Sequence, residues 1–447
     1  MPRPVDYAPA PPIDPKYNRA IFTLMLIAFI DLMGFGIVIP LLPYYALRFE
    51  ATDLTVTLLA SVFSLCQFIS SPILGVWSDR IGRKPVLIFS QWGSAIGYIV
   101  LALATEISWP THAIALSVIF LSRIIDGLTA GNITVVQAYV SDRVAPQNRA
   151  KVVGLIGAAF GVGFAVGPLI GGVLGHYNPA YPAFLSATLS IFASIMVWRF
   201  LPESKTDGAR SSASGFVLAP SRLAALKHQP MVVWLTATWF CCMFAFVMLE
   251  PTIPLLLARQ FDYGQREAGY FYFFVGATIC VIQGTLIGPL TKRFGEWQLA
   301  FTGALLATLG MFGYAYVAYV PPEPSPGRII FTSLLLILGL SALVNATGRS
   351  LQMPTMSAML SQNSDPKSQG AAFGMFQGFA SLARVLGPLL AGLLLQWFTR
   401  DWWVMFIVAA GWLGAACVLL LLLRPRLKPV SVPVPTDPAV AAAEGVA

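Results

Sequence analysis

Charge is what this sequence has least of. Asp, Glu, Lys and Arg together make up 11% of its 447 residues. Soluble domains carry roughly a quarter, so an ordinary water-soluble globule is excluded. The five cysteines, Cys66, Cys241, Cys242, Cys280 and Cys417, all fall in apolar stretches. They read as small core residues, with no disulfide or metal role expected. His112, His176 and His228, the three histidines, stand in loops or at the edges of apolar runs. No metal-ligand spacing and no nucleophile–base arrangement is visible, which argues against an enzyme. The sequence has no G-x-x-x-x-G-K-[ST], which argues against ATP-driven work. It also lacks a large soluble domain or sensor module of the kind a receptor needs. Residues 1–20, MPRPVDYAPAPPIDPKYNRA, hold acids and prolines but no early apolar region. They are expected to form a short cytoplasmic tail, not a signal peptide.

Apolar sequence is what the chain has in excess, at 57%. Runs near 21–43, 54–77, 85–104, 113–138, 151–175, 181–201, 231–257, 267–290, 297–319, 328–358, 369–397 and 402–423 each reach about 20 residues, enough to cross a ~30 Å hydrocarbon core as a helix. Gly and Pro recur inside them, as they do in membrane helices. The expected fold class is an all-α membrane protein with twelve transmembrane helices. The net charge of +8 follows this topology: with both termini cytoplasmic, 20 of the 28 Lys and Arg residues fall on the cytoplasmic side and 5 outside. That asymmetry is the positive-inside pattern and points to a multi-pass protein of the cell membrane. It leaves nucleic acid out as a partner.

The segment PESKTDGARSSASGFVLAPSRLAALKHQP is the longest polar stretch and reads as a cytoplasmic linker at 202–230. It divides a six-helix bundle at 21–201 from a second at 231–424, with a C-terminal tail at 425–447. The halves repeat one another. VIPLL at Val38–Leu42 matches TIPLL at Thr252–Leu256, GPLIGGVL at Gly167–Leu174 matches GPLLAGLL at Gly387–Leu394, and Gly75, Arg80 and Gly82 match Gly288, Arg293 and Gly295. Internal repeats of this kind build alternating-access carriers, with the site between the repeats near the midplane.

Four stretches carry a family resemblance. GVWSDRIGRKPVL (Gly75–Leu87) resembles the loop motif of the major facilitator superfamily, and GFAVGPLIGG (Gly163–Gly172) resembles the fifth-helix motif of its proton-driven exporters. FLSRIIDGLTAG (Phe120–Gly131) is similar to the fourth-helix motif with its central arginine, and DLMGFGIVIPLLP (Asp31–Pro43) to the first helix of the tetracycline-exporter branch. The chain is thus identified as similar to the twelve-helix drug:proton antiporters, a resemblance that implies two pseudo-symmetric six-helix bundles. It further implies that Gly75, Asp79, Arg80, Gly82, Arg83 and Lys84 form a cytoplasmic gate loop, with Asp79 docking near Ser368 at the start of the eleventh helix. Gly163, Gly167, Pro168, Gly171 and Gly172 would form the antiporter helix, bent at Pro168. The branch carries further acids in its third and ninth helices, where this chain has Gly97 and Thr308. Tetracycline as cargo is therefore left open.

Six charges fall inside the spans: Asp31, Arg123, Asp126, Glu250, Arg349 and Arg384. Each costs about 2.5–3.5 kcal/mol at the bilayer centre on insertion scales, so each needs a reason. Arg123 and Asp126 are three apart on one helix and can pair. Asp31 is then the spare carboxylate of the first half and the leading proton carrier; the alternative is a structural anchor paired with Arg123. Glu250 is either a contact for a cationic substrate or an interface residue. Arg349 and Arg384 either attract anionic groups or bond free backbone carbonyls. Gln67, Asn132, Gln137, Asn345, Gln352 and Gln377, at membrane depth beside aromatic clusters of the seventh and eighth spans, complete the candidate cavity for an amphipathic organic molecule.

The function expected is proton-coupled efflux of a small lipophilic compound by a monomer in a lipid bilayer. The coupling ion is the proton, and no cofactor or metal is implied. The alternative is a symporter or uniporter of a sugar or metabolite on the same fold.

Overall fold

The computed structural model describes residues 15–144, 146–204, 229–321, 328–365 and 368–426. Most of the expected linker and both distal tails lie outside the described residues. Twelve helical spans follow in order. In the first half these are α1 (Pro15–Val38), continued by a tight turn at Ile39–Leu41 and a short helix at Leu42–Leu47, then α2 (Asp53–Ile81), α3 (Arg83–Glu106), α4 (His112–Thr129, then Asn132–Arg143), α5 (Pro146–Tyr177) and α6 (Ala180–Phe200). The second half holds α7 (Pro230–Phe261), α8 (Gln265–Val281, a wider π turn at Ile282–Leu286, then Ile287–Phe294), α9 (Glu296–Tyr319), α10 (Arg328–Asn363), α11 (Gln369–Trp397) and α12 (Trp403–Leu423). Eleven of these stretches are long and apolar enough to cross a membrane, and α5 adds a shorter apolar stretch at Gly161–Tyr177.

Two helices depart from the regular spans that hydropathy predicts. Helix α4 breaks at Ala130–Gly131, and the carbonyls this frees are met by side chains of α2. Gln67 Nε2 donates to Ala130 O at 2.9 Å, and Ser70 Oγ donates to Gly127 O at 3.0 Å. In α7, Pro254 has no N–H to offer Glu250 O four residues back, and Tyr272 Oη of α8 supplies that bond at 2.9 Å. Irregular backbone at this depth persists because neighbouring helices satisfy it.

Glycines set the closest helix approaches. A Cβ on Gly163 would lie 2.7 Å from Phe29 O, and one on Gly167 would lie 2.7 Å from Met33 O, so α5 is pressed against α1 within the first bundle. Pro168 does not interrupt α5; its Cδ packs 3.2 Å from the position of a Cβ on Gly36. Small residues at four-residue spacing permit this approach in a membrane, where dispersion and not the hydrophobic effect holds helices together.

The ends of the molecule differ. At the end opposite Gly82 the bundles touch. Gly172 of α5 would meet Gly269 Cα of α8 at 2.7 Å through a Cβ, Gly392 of α11 abuts Thr57 and Leu54 of α2, and Arg259 of α7 pairs with Asp53 of α2. Towards the end that carries Gly82, which also holds most of the basic residues and is called the basic end below, the bundles part. Gly284 and Gly288 of α8 and Gly370 of α11 have nothing within 4 Å of where a Cβ would stand. The Ile287–Phe294 turn buries no residue, and Gln137 and Gln377 are exposed.

Candidate functional site: a central carboxylate and an opposing guanidinium

Asp31 stands midway along α1 and is held by two neutral amides. Gln91 Nε2 of α3 donates to Oδ1 at 2.6 Å, and Asn132 Nδ2 donates to Oδ2 at 2.9 Å. Asn132 is the first residue after the α4 break, so the break is what sets its amide beside the carboxylate. The anchoring alternative, a pair with Arg123, is not what forms. Arg123 NH1 bonds Asp126 Oδ2 at 3.2 Å, its Nε bonds Ser122 Oγ at 3.3 Å, and the Tyr98 ring lies 5.7 Å away. Both members of that pair are almost fully buried, at 1% and 3% exposure. A pair this enclosed can keep its charges, whereas Asp31 meets dipoles alone. Hydrogen bonds to a charged group contribute about 1.5–3 kcal/mol each, comparable to the insertion cost of the charge. Neither protonation state of Asp31 is therefore strongly excluded.

Gln91 was not among the residues singled out from the sequence. Its signal, a lone amide in an otherwise apolar span, was the same as that of Gln67, which turns out to serve the α4 break. Gly97 explains why no acid stands at its position: a Cβ there would already lie 3.0 Å from Asp126 Cβ and 3.1 Å from Ser122 O.

The second bundle presents the opposite sign. Asn345, Arg349 and Gln352 follow at spacings of four and three, on one stripe of α10. Asn345 Nδ2 donates to Ala307 O at 3.1 Å. Arg349 does not bond freed carbonyls, the reading its sequence context favoured. Its Cζ lies 3.1 Å from the centre of the Phe246 ring, and its NH2 reaches Met243 Sδ at 3.6 Å. Aromatic faces attract cations, by about 2 kcal/mol when desolvated, which does not fully offset the insertion cost above. Glu250 and Arg384 are half-buried nearby, and among the described residues neither they nor Arg349 make an ion pair within 4 Å. The aromatics of α7 pack within the bundle: Trp239 stacks on Phe376 at 5.1 Å, and Phe244 contacts Trp412 at 4.7 Å. They form helix contacts and not the cavity wall expected of them. The exposed aromatics Tyr270, Phe273 and Phe274 lie on α8.

The loop around Gly82 is a charged knot. Gly82 takes φ +107°, a conformation only glycine adopts without strain. The carboxylate of Glu203, just after α6, accepts from Arg83 N at 2.8 Å and Lys84 N at 3.1 Å, capping α3. Arg83 is buried between Asp79 (2.6 Å), Asp142 (3.1 Å) and Ser78 Oγ (2.6 Å). Arg143 bonds Glu203 O, and Gly75 lies within 3.8 Å of Thr134. Asp79 therefore does not dock at Ser368, whose hydroxyl accepts from Gln229 at 2.7 Å. With the bundles parted at this end, the cation within reach of Asp79 is one turn along its own loop. In the second half Gly295 repeats the positive φ, at +79°, but nothing stands where Glu203 would, and Lys292 is exposed.

Two inverted halves, a parted cleft and facing groups of opposite charge define a secondary carrier of small molecules. The sequence matches the Major Facilitator Superfamily model over residues 24–345 and 324–443, and the chain belongs to that family. It is 27% identical to mouse major facilitator superfamily domain-containing protein 10, over 86% of this chain and 89% of that one. It is 25% identical to the class B tetracycline resistance protein of Escherichia coli, over 91% and 95%. Among solved structures, the human organic anion transporter MFSD10 superposes with a TM-score of 0.64 at 23% identity, covering 91% of this chain and 99% of that one. The nucleoside transporter NupG superposes with a TM-score of 0.70 at 15% identity, over 91% and 99%. At these identities the structures establish a shared fold.

Proposed function

We propose that this protein exports a small lipophilic, drug-like compound in exchange for protons, by alternating access across a cell membrane with both termini cytoplasmic. The observation that carries the reading is the setting of Asp31, a mid-span carboxylate bonded by two amides and by no cation. Such a group can take a proton from one side and release it to the other as its surroundings change. The excess of Lys and Arg at the basic end makes that end cytoplasmic, so the conformation described is open inward and closed outward. The fifth-helix motif at Gly163–Gly172 and the tetracycline resistance relatives support export over import. Transport in everted vesicles tests the reading. Uptake of a fluorescent lipophilic dye on imposing an acidic interior is expected for wild type and lost in Asp31→Asn, with both proteins present at equal levels. Uptake indifferent to a collapsed pH gradient would end the exchange mechanism.

A further inference from the structure

We infer that the α10 stripe at Asn345, Arg349 and Gln352 is a subsite for the acidic group of an amphipathic aromatic anion. The inference rests on the transport reading above for its purpose, but not for its geometry. A small crevice between α7, α9, α10 and α12 is lined by these three residues together with Phe246, Met311 and Cys242. Its donors are not matched by acceptors. Gln352 is 2% exposed, and its Nε2 has no hydrogen-bond partner among the described residues. Arg349 meets only a ring face and a thioether, which leave its in-plane N–H groups without a carboxylate. Both donors stand on the same face of one helix, one turn apart, and both point at the same crevice.

A buried donor without an acceptor is costly and is retained where a ligand supplies the acceptor. A carboxylate or sulfonate fits the need: it accepts from a planar guanidinium through two oxygens, and a further lone pair remains for Gln352. The crevice is about the size of a water molecule. It therefore holds the acidic group alone, and the rest of the molecule lies in the open cleft, where Gln377 and Gln283 are exposed. The adjoining Phe246 and Met311 suit an aromatic body next to the charge. Arg349 is half-buried, so its free edge is reachable from that cleft. The first bundle has no equivalent: there the buried guanidinium, Arg123, is already paired with Asp126.

The test is equilibrium binding to the purified full-length protein in lipid nanodiscs without a pH gradient, using naphthoate, naphthalenesulfonate and the neutral naphthylmethanol. Wild type is expected to bind the two anions about tenfold more tightly than the alcohol, equivalent to about 1.4 kcal/mol. Arg349→Met should erase that preference while leaving the affinity for the alcohol unchanged, and Arg349→Lys should keep part of it. Gln352→Leu should weaken anion binding about threefold and serves as the independent variant should Arg349→Met fail to fold. Equal affinity for anion and alcohol in wild type, no anion binding at millimolar concentration, or an unchanged preference in the Arg349→Met and Gln352→Leu proteins would overturn the subsite. Loss of the subsite with dye uptake still driven by protons leaves the exchange reading standing. Anion binding intact with uptake indifferent to pH does the reverse.

Discussion

The carboxylate of Asp53, at the start of α2, accepts from the guanidinium of Arg259, near the end of α7, at 2.5 Å. The two residues belong to different bundles, so the bond can exist only while the end opposite Gly82 is closed. Trp402 flanks the same guanidinium at 5.9 Å. The side chains are 13% and 40% exposed, and a pair this wet contributes about 0–1 kcal/mol. Asp53→Asn is accordingly expected to shift the balance of closed and open forms up to about fivefold towards opening at that end, without loss of folding. Spin labels at Ser108 and Arg400, on a cysteine-free background, should show a larger population of long distances. An unchanged distribution would show that glycine packing alone closes that end.

Glycines on the same helix should respond differently to enlargement. Gly163 faces α1 within its own bundle, where a Cβ would lie 2.7 Å from Phe29 O and 3.1 Å from Met33 N. Gly172 faces α8 of the other bundle, 2.5 Å from Gln265 O. Overpacking costs about 1–3 kcal/mol where the neighbours cannot yield. Gly163→Val should therefore lower the thermal midpoint of the purified protein. Gly172→Val should leave the midpoint nearly unchanged and instead part the bundles, lengthening the same spin-label distance.

The Glu203 cap on α3 should matter to stability more than its place at the edge of the linker suggests. Its two bonds reach backbone N–H groups that the helix itself cannot satisfy. Glu203→Ala should destabilise by about 1–2 kcal/mol, read as a lower midpoint in thermal unfolding. Gly82→Ala should cost at least as much, because its Cβ would stand 2.5 Å from that carboxylate in a strained backbone conformation. Gly295→Ala shares the strain but meets no neighbour, so it should cost less than Gly82→Ala.

Removing the amides around Asp31 should impair transport and spare the fold. Gln91→Leu and Asn132→Leu each delete one of two donors to the carboxylate. A hydrogen bond to a charged acceptor contributes about 1.5–3 kcal/mol, or roughly ten- to a hundredfold in the occupancy of the ionised form. Proton-driven dye uptake should fall by about that factor, while thermal midpoints stay close to wild type. Full activity in both variants would mean that the amides are incidental to coupling.

The twelve spans, the two halves and the membrane setting could be read directly from the sequence, because hydropathy, charge counts and motif offsets are sums over the chain. The Arg123–Asp126 bond was legible for a similar reason: three residues along a helix fixes two side chains on one face. What no span can reveal is how its helix is turned and how near its neighbours come. The α4 break, the choice of Gln91 and Asn132 as partners of Asp31, the Glu203 cap on α3 and the seat of Arg349 on Phe246 all join segments tens of residues apart or more. Those meetings depend on backbones brought together at Gly163, Gly167 and Gly97, where a missing Cβ decides the approach to within a fraction of an ångström. Asp79 makes the same point for conformation. Its charge was visible in the loop, but its partner is set by whether the bundles are closed or parted at that end, and only the packed molecule decides that.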